Sequence, residues 1–370
     1  MNFNAIKPLP VRGRQSCINC AVTCERKWFY QYRMGVVLRG TEFKEAATLG
    51  TIYHVLQCAG PGKESEVRAW IREQQTTLMD AVDRGEDLDG NSARLAGVLT
   101  TLYNKAEVMA HVFWEMFPQP PQFKTLAKEI KVTAGYKGLI LEGTIDKLLL
   151  NTKDDSIWIR DHKTTGRPLA VLFGGLPWSI QARIYRILAL NYMVTKEGQN
   201  KEWAEKNIKG FILDGILKPG IKLCKTDEKN AKTWKCSVEN AYLRRVKEWY
   251  KSYEVKAELA GKPNTKALDS KGILYTEPMF PDELKTVLYK MMELSQRDIH
   301  PAEFERDVTR QACFAYEKQC IYHSLCETDP TQWDRLFEIR YKIKEASDQQ
   351  KHTEKLNKIM DMESAEAKND

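Results

Sequence analysis

The chain has 370 residues, 42% of them hydrophobic and 29% charged, enough to bury a sizeable core as one elaborated domain or two small ones. No run of 18 apolar residues occurs, which excludes a helical membrane span, and the opening MNFNAIKPLPVRGRQ lacks the apolar stretch of a secretory signal. The expected location is therefore the cytoplasm, where nine cysteines are not expected to form disulfides.

Fifty-seven basic against 50 acidic residues give a net charge of +7, unevenly spread. Residues 1–40 hold seven Lys or Arg against Glu25 alone, and residues 196–275 hold eighteen against eleven acids. Such segments suit a polyanion, although Lys-rich surfaces also serve plain solubility.

Taken in order, residues 14–34 are predicted helical, with Cys24, Trp28 and Tyr32 at helical spacing. The next helix is predicted over 42–58. Ala46, Leu49, Tyr53 and Leu56 fall on one stripe, Gly50 leaves room for a close neighbour, and His54 follows one turn later. A lone helical histidine is more often a packed residue than a ligand. Helices over 64–83 and 92–117 follow, the second stopped by Pro118 to Pro121. Strands begin near Thr125 with LAKEIKV, where Glu129, like Glu142 further on, is a spare acid and a minor site candidate: Glu129 could enter the outer shell of a metal, although strand-surface acids are usually solvated.

Residues 138–166 read GLILEGTIDKLLL, NTKDDS and IWIRDHKTTG. Two apolar runs around a turn rich in Asn, Asp and Ser predict a β-hairpin. Asp161 and Lys163, two apart on a strand, project together. Alone they would be a surface pair worth little. With Asp146 on the neighbouring strand they can hold a divalent cation and steer a water. A helix over 177–194 places Gln181 and Tyr185 on one face, and 207–217 reads as a strand.

Residues 218–275 are less regular, with lysines interleaved among Trp234, Tyr242, Trp249, Tyr250 and Tyr253, a predicted helix over 240–260 and a loop over 261–272. Such aromatics can stack bases, but Tyr242, Trp249 and Tyr253 also fit the core face of an amphipathic helix. Near the C-terminus, CFAYEKQCIYHSLC sets Cys313, Cys320 and Cys326 at C-x6-C-x5-C. Three such thiols plus one from a distant helix can complete a four-thiolate site for an iron–sulfur cluster or zinc; free thiols are the third possibility. Cys58, Cys224 and Cys236 lack close partners in sequence. Beyond Trp333 the chain is a charged tail, expected to be helical at first. The expected divisions are a helical segment over 1–40, a core over 41–300, a cysteine segment over 301–330 and the tail over 331–370.

Gly143-Thr144-Ile145-Asp146, Asp161-His162-Lys163-Thr164 and Gln181-x-x-x-Tyr185, in that order, resemble the PD-(D/E)XK nuclease superfamily. The likeness is greatest to its RecB-type branch, which includes the iron–sulfur nucleases of CRISPR adaptation and many phage exonucleases. Cys24-Glu25-Arg26-Lys27-Trp28-Phe29-Tyr30 matches that branch's opening segment, with Glu25 where proline is usual. The resemblance implies an α/β fold: a restriction-endonuclease-like core, with a mixed β-sheet flanked by helices and with N- and C-terminal segments joined by a four-cysteine cluster. It implies His54, Asp146, Asp161 and the backbone carbonyl of His162 as ligands of Mg2+ or Mn2+, and Lys163 as the group that orients the attacking water. Gln181 and Tyr185 would position the strand.

The same resemblance implies a [4Fe–4S] cluster on Cys24, Cys313, Cys320 and Cys326, with Cys17 and Cys20 within reach as the early ligand. The late cysteines are more widely spaced than the family's C-x2-C pair, which leaves zinc as the alternative. The implied function is a metal-dependent DNA nuclease, an exonuclease with single-strand preference, acting in recombination, repair or phage DNA processing. A helicase or a single-strand annealing protein is its expected partner. The alternative is a DNA-binding scaffold with a degenerate nuclease fold, against which the intact set Asp146, Asp161 and Lys163 argues.

Overall fold

The computed structural model describes residues 11–38, 44–85, 90–251, 267–297, 303–305, 313, 319–328, 332 and 341–343. A short strand β1 (Arg12–Gly13) leads into helices α1 (Gln15–Thr23) and α2 (Glu25–Trp28), a π-helical turn (Phe29–Arg33) and β2 (Val36–Leu38). Three longer helices follow, α3 (Glu45–Ala59), α4 (Glu64–Asp83) and α5 (Asn91–Met116). Then come β3 (Phe123–Tyr136), β4 (Leu139–Asn151), β5 (Ser156–Thr165), α6 (Leu169–Gly174), a 3-10 turn (Leu176–Trp178), α7 (Ile180–Thr195), α8 (Lys201–Asn207) and β6 (Ile208–Leu217). The chain continues through α9 (Lys225–Trp234), α10 (Val238–Lys251), β7 (Leu268–Leu274), α11 (Asp282–Gln296), α12 (His323–Glu327) and β8 (Tyr341–Ile343).

The sheet is mixed, in the order β1-β4-β5-β6-β7 with β3 also paired to β4. β4 and β5 are the predicted antiparallel hairpin, in register from Lys147 opposite Arg160 to Asn151 opposite Ser156. β6 lies parallel to β5, with His162 opposite Asp214, and β7 runs antiparallel to β6. The chain forms two compact units, residues 1–42, 132–143 and 277–370 in one and residues 43–131 and 144–276 in the other.

In the second unit Leu148, Leu149, Ile157 and Ile159 are fully buried, as expected for strands with helices on both faces. α3 and α5 pack on one face and α6 and α7 on the other, an arrangement that follows from strand alternation: Gln181 of α7 bonds Asp161, whereas Phe113 of α5 meets the ring of His162. Ser179 starts α7 by accepting the N–H of Ala182 at 3.2 Å. Gly210 on β6 has no room for a side chain: an added Cβ would lie 2.4 Å from the Trp158 ring and 2.5 Å from the Ile273 carbonyl oxygen. Gly210→Ala is therefore expected to lower stability by about 1–3 kcal/mol, read as a reduced unfolding midpoint in urea.

In the first unit the predicted helix over 14–34 is broken at Cys24, whose extended backbone separates α1 from α2 and whose sulfur accepts the Lys27 N–H at 3.5 Å. Glu25 is buried; it accepts the Glu305 N–H at 3.1 Å and pairs with Lys290 and Arg297. Two further expectations need correction. The loop read over 261–272 contains the start of β7, because Leu268 to Gly272 find a partner in β6. The tail read as helical contributes residues 341–343 to an antiparallel pair with β2; the rest of that tail, like the end of the helix read over 240–260, lies outside the described residues.

Candidate active site

The hairpin ladder stops at Lys147 and Arg160, one residue short of Asp146 and Asp161. The strands part there, and the Asp146 carboxylate takes over a job of the ladder: its Oδ2 accepts the backbone N–H of His162 at 2.8 Å. Into this fork α3 brings His54, whose Nδ1 lies 3.2 Å from the same Oδ2. Asp161 is held from the other face, where Gln181 Nε2 donates to its Oδ1 at 2.8 Å. Lys163 Nζ lies 3.2 Å from Asp161 Oδ2. The structure thus brings together five residues singled out from the sequence: His54, Asp146, Asp161, Lys163 and Gln181. Tyr185, one turn further along α7, is close enough for its hydroxyl to bond Gln181 and to feel both aspartates.

Glu129 joins them more closely than its place on β3 foretells. It has φ +46°, the left-handed region, in the middle of a strand, a conformation that costs about 1 kcal/mol or more and that gathers at functional sites. Cys58 Sγ donates to Glu129 Oε1 at 2.7 Å. One ligand atom each from His54, Glu129 and Asp146 lie within 4.8 Å of one another. Strict alternation treats Glu129 as one more acid on a strand surface; the left-handed backbone re-aims it, and no sequence pattern announces that.

The electrostatics of the cluster follow from crowding. Burial, and then the Asp146 charge, push the Asp161 carboxyl up to about 6. The same two causes push Glu129 up to about 7. Burial works against Asp146 too, but His54 overrides it and holds Asp146 well below the usual carboxylate range. The His54 imidazole and the Lys163 ammonium are destabilised by burial and then raised above their ordinary values by the aspartates. Burial raises the Tyr185 hydroxyl, so it stays a donor. Three carboxylates therefore face one lysine and one histidine, a deficit of positive charge that a divalent cation would fill. Asp161 Oδ2 is buried without a hydrogen bond, which leaves a lone pair for such an ion. The donor set, carboxylate oxygens with one imidazole, fits Mg2+ or Mn2+.

Behind the fork, on the α3 and α5 face, lies a second polar cluster. Asp214 of β6 is fully buried; its Oδ2 accepts from Arg160 Nε at 2.5 Å and its Oδ1 from Ser270 Oγ at 2.6 Å. His162 Nδ1 lies 2.9 Å from Asp214 Oδ2 without the alignment of a hydrogen bond. Arg160 and His162 alternate with Asp161 and Lys163 along β5, so this network fixes the strand that presents the catalytic candidates. The lone Asp in FILDGIL was the signal: one acid inside an apolar strand asks for a buried partner of opposite sign, which Arg160 of the neighbouring strand supplies.

Burial pushes the His162 imidazole down to about 4 against the pull of Asp214. With its folded value below the unfolded one of about 6.5, it stabilises the fold fully above pH about 6.5 and loses that contribution as the pH falls toward 4. Thermal unfolding of His162→Gln is expected to show a smaller loss of midpoint between pH 7.5 and pH 5 than the unaltered protein.

In the first unit Cys17, Cys24 and Cys20 belong to one segment, and Cys320 approaches it. Burial pushes the Cys20 thiol up to about 12, with Cys24, Cys17 and Cys320 adding to the effect. Trp28 Nε1 donates to Cys17 Sγ at 3.0 Å. Cys320 N–H donates to the Cys313 carbonyl at 2.6 Å, and Cys326 N–H to the Tyr322 carbonyl at 3.0 Å.

A mixed sheet flanked by helices, with a metal-competent acidic fork and a lysine at the ends of its central hairpin, defines a class of cation-dependent phosphodiester hydrolases. The chain belongs to the PD-(D/E)XK nuclease superfamily, whose family model matches residues 15–327. No curated protein matches it. Among the described residues no helix is long and apolar enough to cross a membrane.

Proposed function

We propose that the chain is a metal-dependent DNA nuclease whose hydrolytic centre is the fork at Asp146 and Asp161. The observation that carries this reading is the convergence of two buried hairpin carboxylates with a half-buried lysine and a half-buried histidine from α3 on one spot with spare ligand atoms. His54, Asp146, Asp161 and the carbonyl of His162 would hold the cation, with Glu129 as a further oxygen donor. A bound Mg2+ or Mn2+ would acidify a water and draw off the charge that builds on the phosphorane, and the imidazole tilts the choice toward Mn2+. Lys163 holds the water in line and offers its charge to the non-bridging oxygens. Gln181 fixes the rotamer of Asp161, and Tyr185, kept protonated, donates to the strand.

The finer reading places the chain in the RecB-type branch, as an exonuclease preferring single strands and acting in recombination, repair or phage DNA processing. A helicase or annealing protein would supply the strand. The test is degradation of end-labelled, end-blocked and circular DNA with Mn2+ against EDTA. Loss of labelled ends but not of blocked or circular DNA is expected. Purified protein that binds every form and cuts none would establish the scaffold reading instead.

The second part of the proposal is a [4Fe–4S] cluster on Cys24, Cys313, Cys320 and Cys326, with Cys17 or Cys20 in place of Cys24 as the variants and zinc as the alternative metal. Its support is the approach of Cys320 to the Cys17–Cys24 segment. Freshly isolated protein is expected to be brown with a broad visible absorbance that Cys320→Ser removes. Colourless protein with one zinc per chain would refute the iron.

A further inference from the structure

Trp178 is 70% exposed, and every other tryptophan among the described residues is buried or half-buried. It stands just before Ser179, the residue that caps α7. An apolar residue at that position often packs back onto the fourth residue of the helix. In α7 that residue is Arg183, itself buried, and the indole is left in water. Single apolar side chains are common on protein surfaces; the place and the surroundings of this one set it apart.

Both ends of the segment that carries Trp178 are fixed on the sheet face of Asp161 and Lys163. At one end, Gly215 lies opposite Lys163 in the parallel ladder, on the same face. A Cβ on Gly215 would lie 2.9 Å from Phe173, 3.0 Å from Leu172 and 3.1 Å from Leu169, so α6 packs on the strand beside Lys163. At the other end Gln181 donates to Asp161. Trp178 precedes Gln181 by three residues, at most about 10 Å of chain. The indole thus stands at the rim of the fork, with the exposed Val171 of α6 on the same segment.

The charge of that segment suits a nucleic acid strand. From His162 to Lys196 there is no Asp or Glu, while Lys163, Arg167, Arg183, Arg186 and Lys196 are basic. A polyanion leaving the fork along this segment meets none of its own sign there. An exposed aromatic ring among cations is a surface on which unpaired bases stack, whichever base is offered.

We propose that the Trp178 indole is a stacking platform for one unpaired base of the substrate strand, a few nucleotides from the bond that is cut. The inference rests on the nuclease reading and deepens it by naming a residue that favours a single strand over a duplex, whose bases are already stacked on one another.

The experiment is fluorescence anisotropy of labelled single-stranded and blunt duplex DNA, with EDTA present to prevent hydrolysis, across a KCl series. Trp178→Ala is expected to weaken single-strand binding about fivefold to a hundredfold, the range of one base stacked on an aromatic ring. The slope of log affinity against log salt is expected to stay as it was, since no phosphate contact is lost, and duplex affinity is expected to be unaltered. Trp178→Phe keeps most of the binding. An oligonucleotide with one abasic position, moved along the strand, is expected to show one position that costs the unaltered protein affinity and costs Trp178→Ala nothing more. A folded Trp178→Ala protein with the original single-strand affinity overturns the platform, as does an equal loss on duplex. If that variant does not fold, an abasic series in which no position costs the unaltered protein affinity overturns it. Failure of the nuclease reading is separable. Protein that binds single strands through Trp178 and never cleaves them with Mn2+ defeats that reading alone, whereas cleavage by the unaltered protein beside unchanged binding in Trp178→Ala defeats the platform alone.

Discussion

Asp161→Asn is expected to cut metal-dependent cleavage by about a thousandfold or more while leaving the fold and DNA binding in place. The side chain is fully enclosed, and an amide of the same shape still accepts from Gln181 through the oxygen that now does so. What the change removes is the charge. Asp161 Oδ2 is the buried oxygen with no hydrogen bond, the lone pair best placed for a cation, and Lys163 loses the carboxylate that lies 3.2 Å away. Removing one preorganised electrostatic group from an active site costs about 10²–10³ in rate; here ligand and lysine partner go together. Cleavage rate at saturating Mn2+, beside anisotropy binding and the thermal midpoint, separates the outcomes. Cleavage that persists near the original rate would place the hydrolytic centre elsewhere.

The second large effect is on stability. Asp214→Ala is expected to destabilise the protein by about 3–5 kcal/mol, the cost of leaving one partner of a buried ion pair without the other. Arg160 and Asp214 are almost wholly enclosed, and Ser270 spans to the same carboxylate from β7, so the loss touches three neighbouring strands. Burial opposes the Asp214 charge, but His162 and Arg160 override it and hold the carboxyl far below its ordinary value. Its contribution is therefore complete above pH about 4 and fades only as the pH falls below that. The double replacement Arg160→Met with Asp214→Leu is expected to recover part of the loss, since apolar groups of similar volume can stand in for a buried pair. Chemical denaturation of the two single variants and the double variant at pH 7 closes the cycle; an Asp214→Ala protein as stable as the original would mean that Arg160 reaches water.

Much of this was legible before any coordinates. The hairpin was plain because its turn chemistry and its apolar runs agree. α4 and α5 were plain because their periodicity is long and a proline cluster stops the second. His54, Asp146, Asp161, Lys163 and Gln181 were legible as a group only through their order along the chain, since each alone reads as an ordinary helix or strand residue. Other parts were hidden for physical reasons. β7 carries Lys271 and Gly272 in its middle and is a strand only because β6 offers it a ladder. Glu129 obeys no alternation once its backbone turns left-handed. The pause at Cys24 depends on an extended residue that helical spacing passes over.

The fork also bears on how the protein assembles. Asp146 and Asp161 are fifteen positions apart across a tight turn, whereas His54 comes from a helix ninety-two positions upstream of Asp146. Local closure precedes distant docking, with hairpins forming in about 1–10 μs and longer loops costing more entropy. On that ordering the two acids meet before the imidazole arrives, and the countercharge at hand is Lys163 of the same strand, 3.2 Å from Asp161; the hairpin thus carries part of its own compensation, and salt screens what is left.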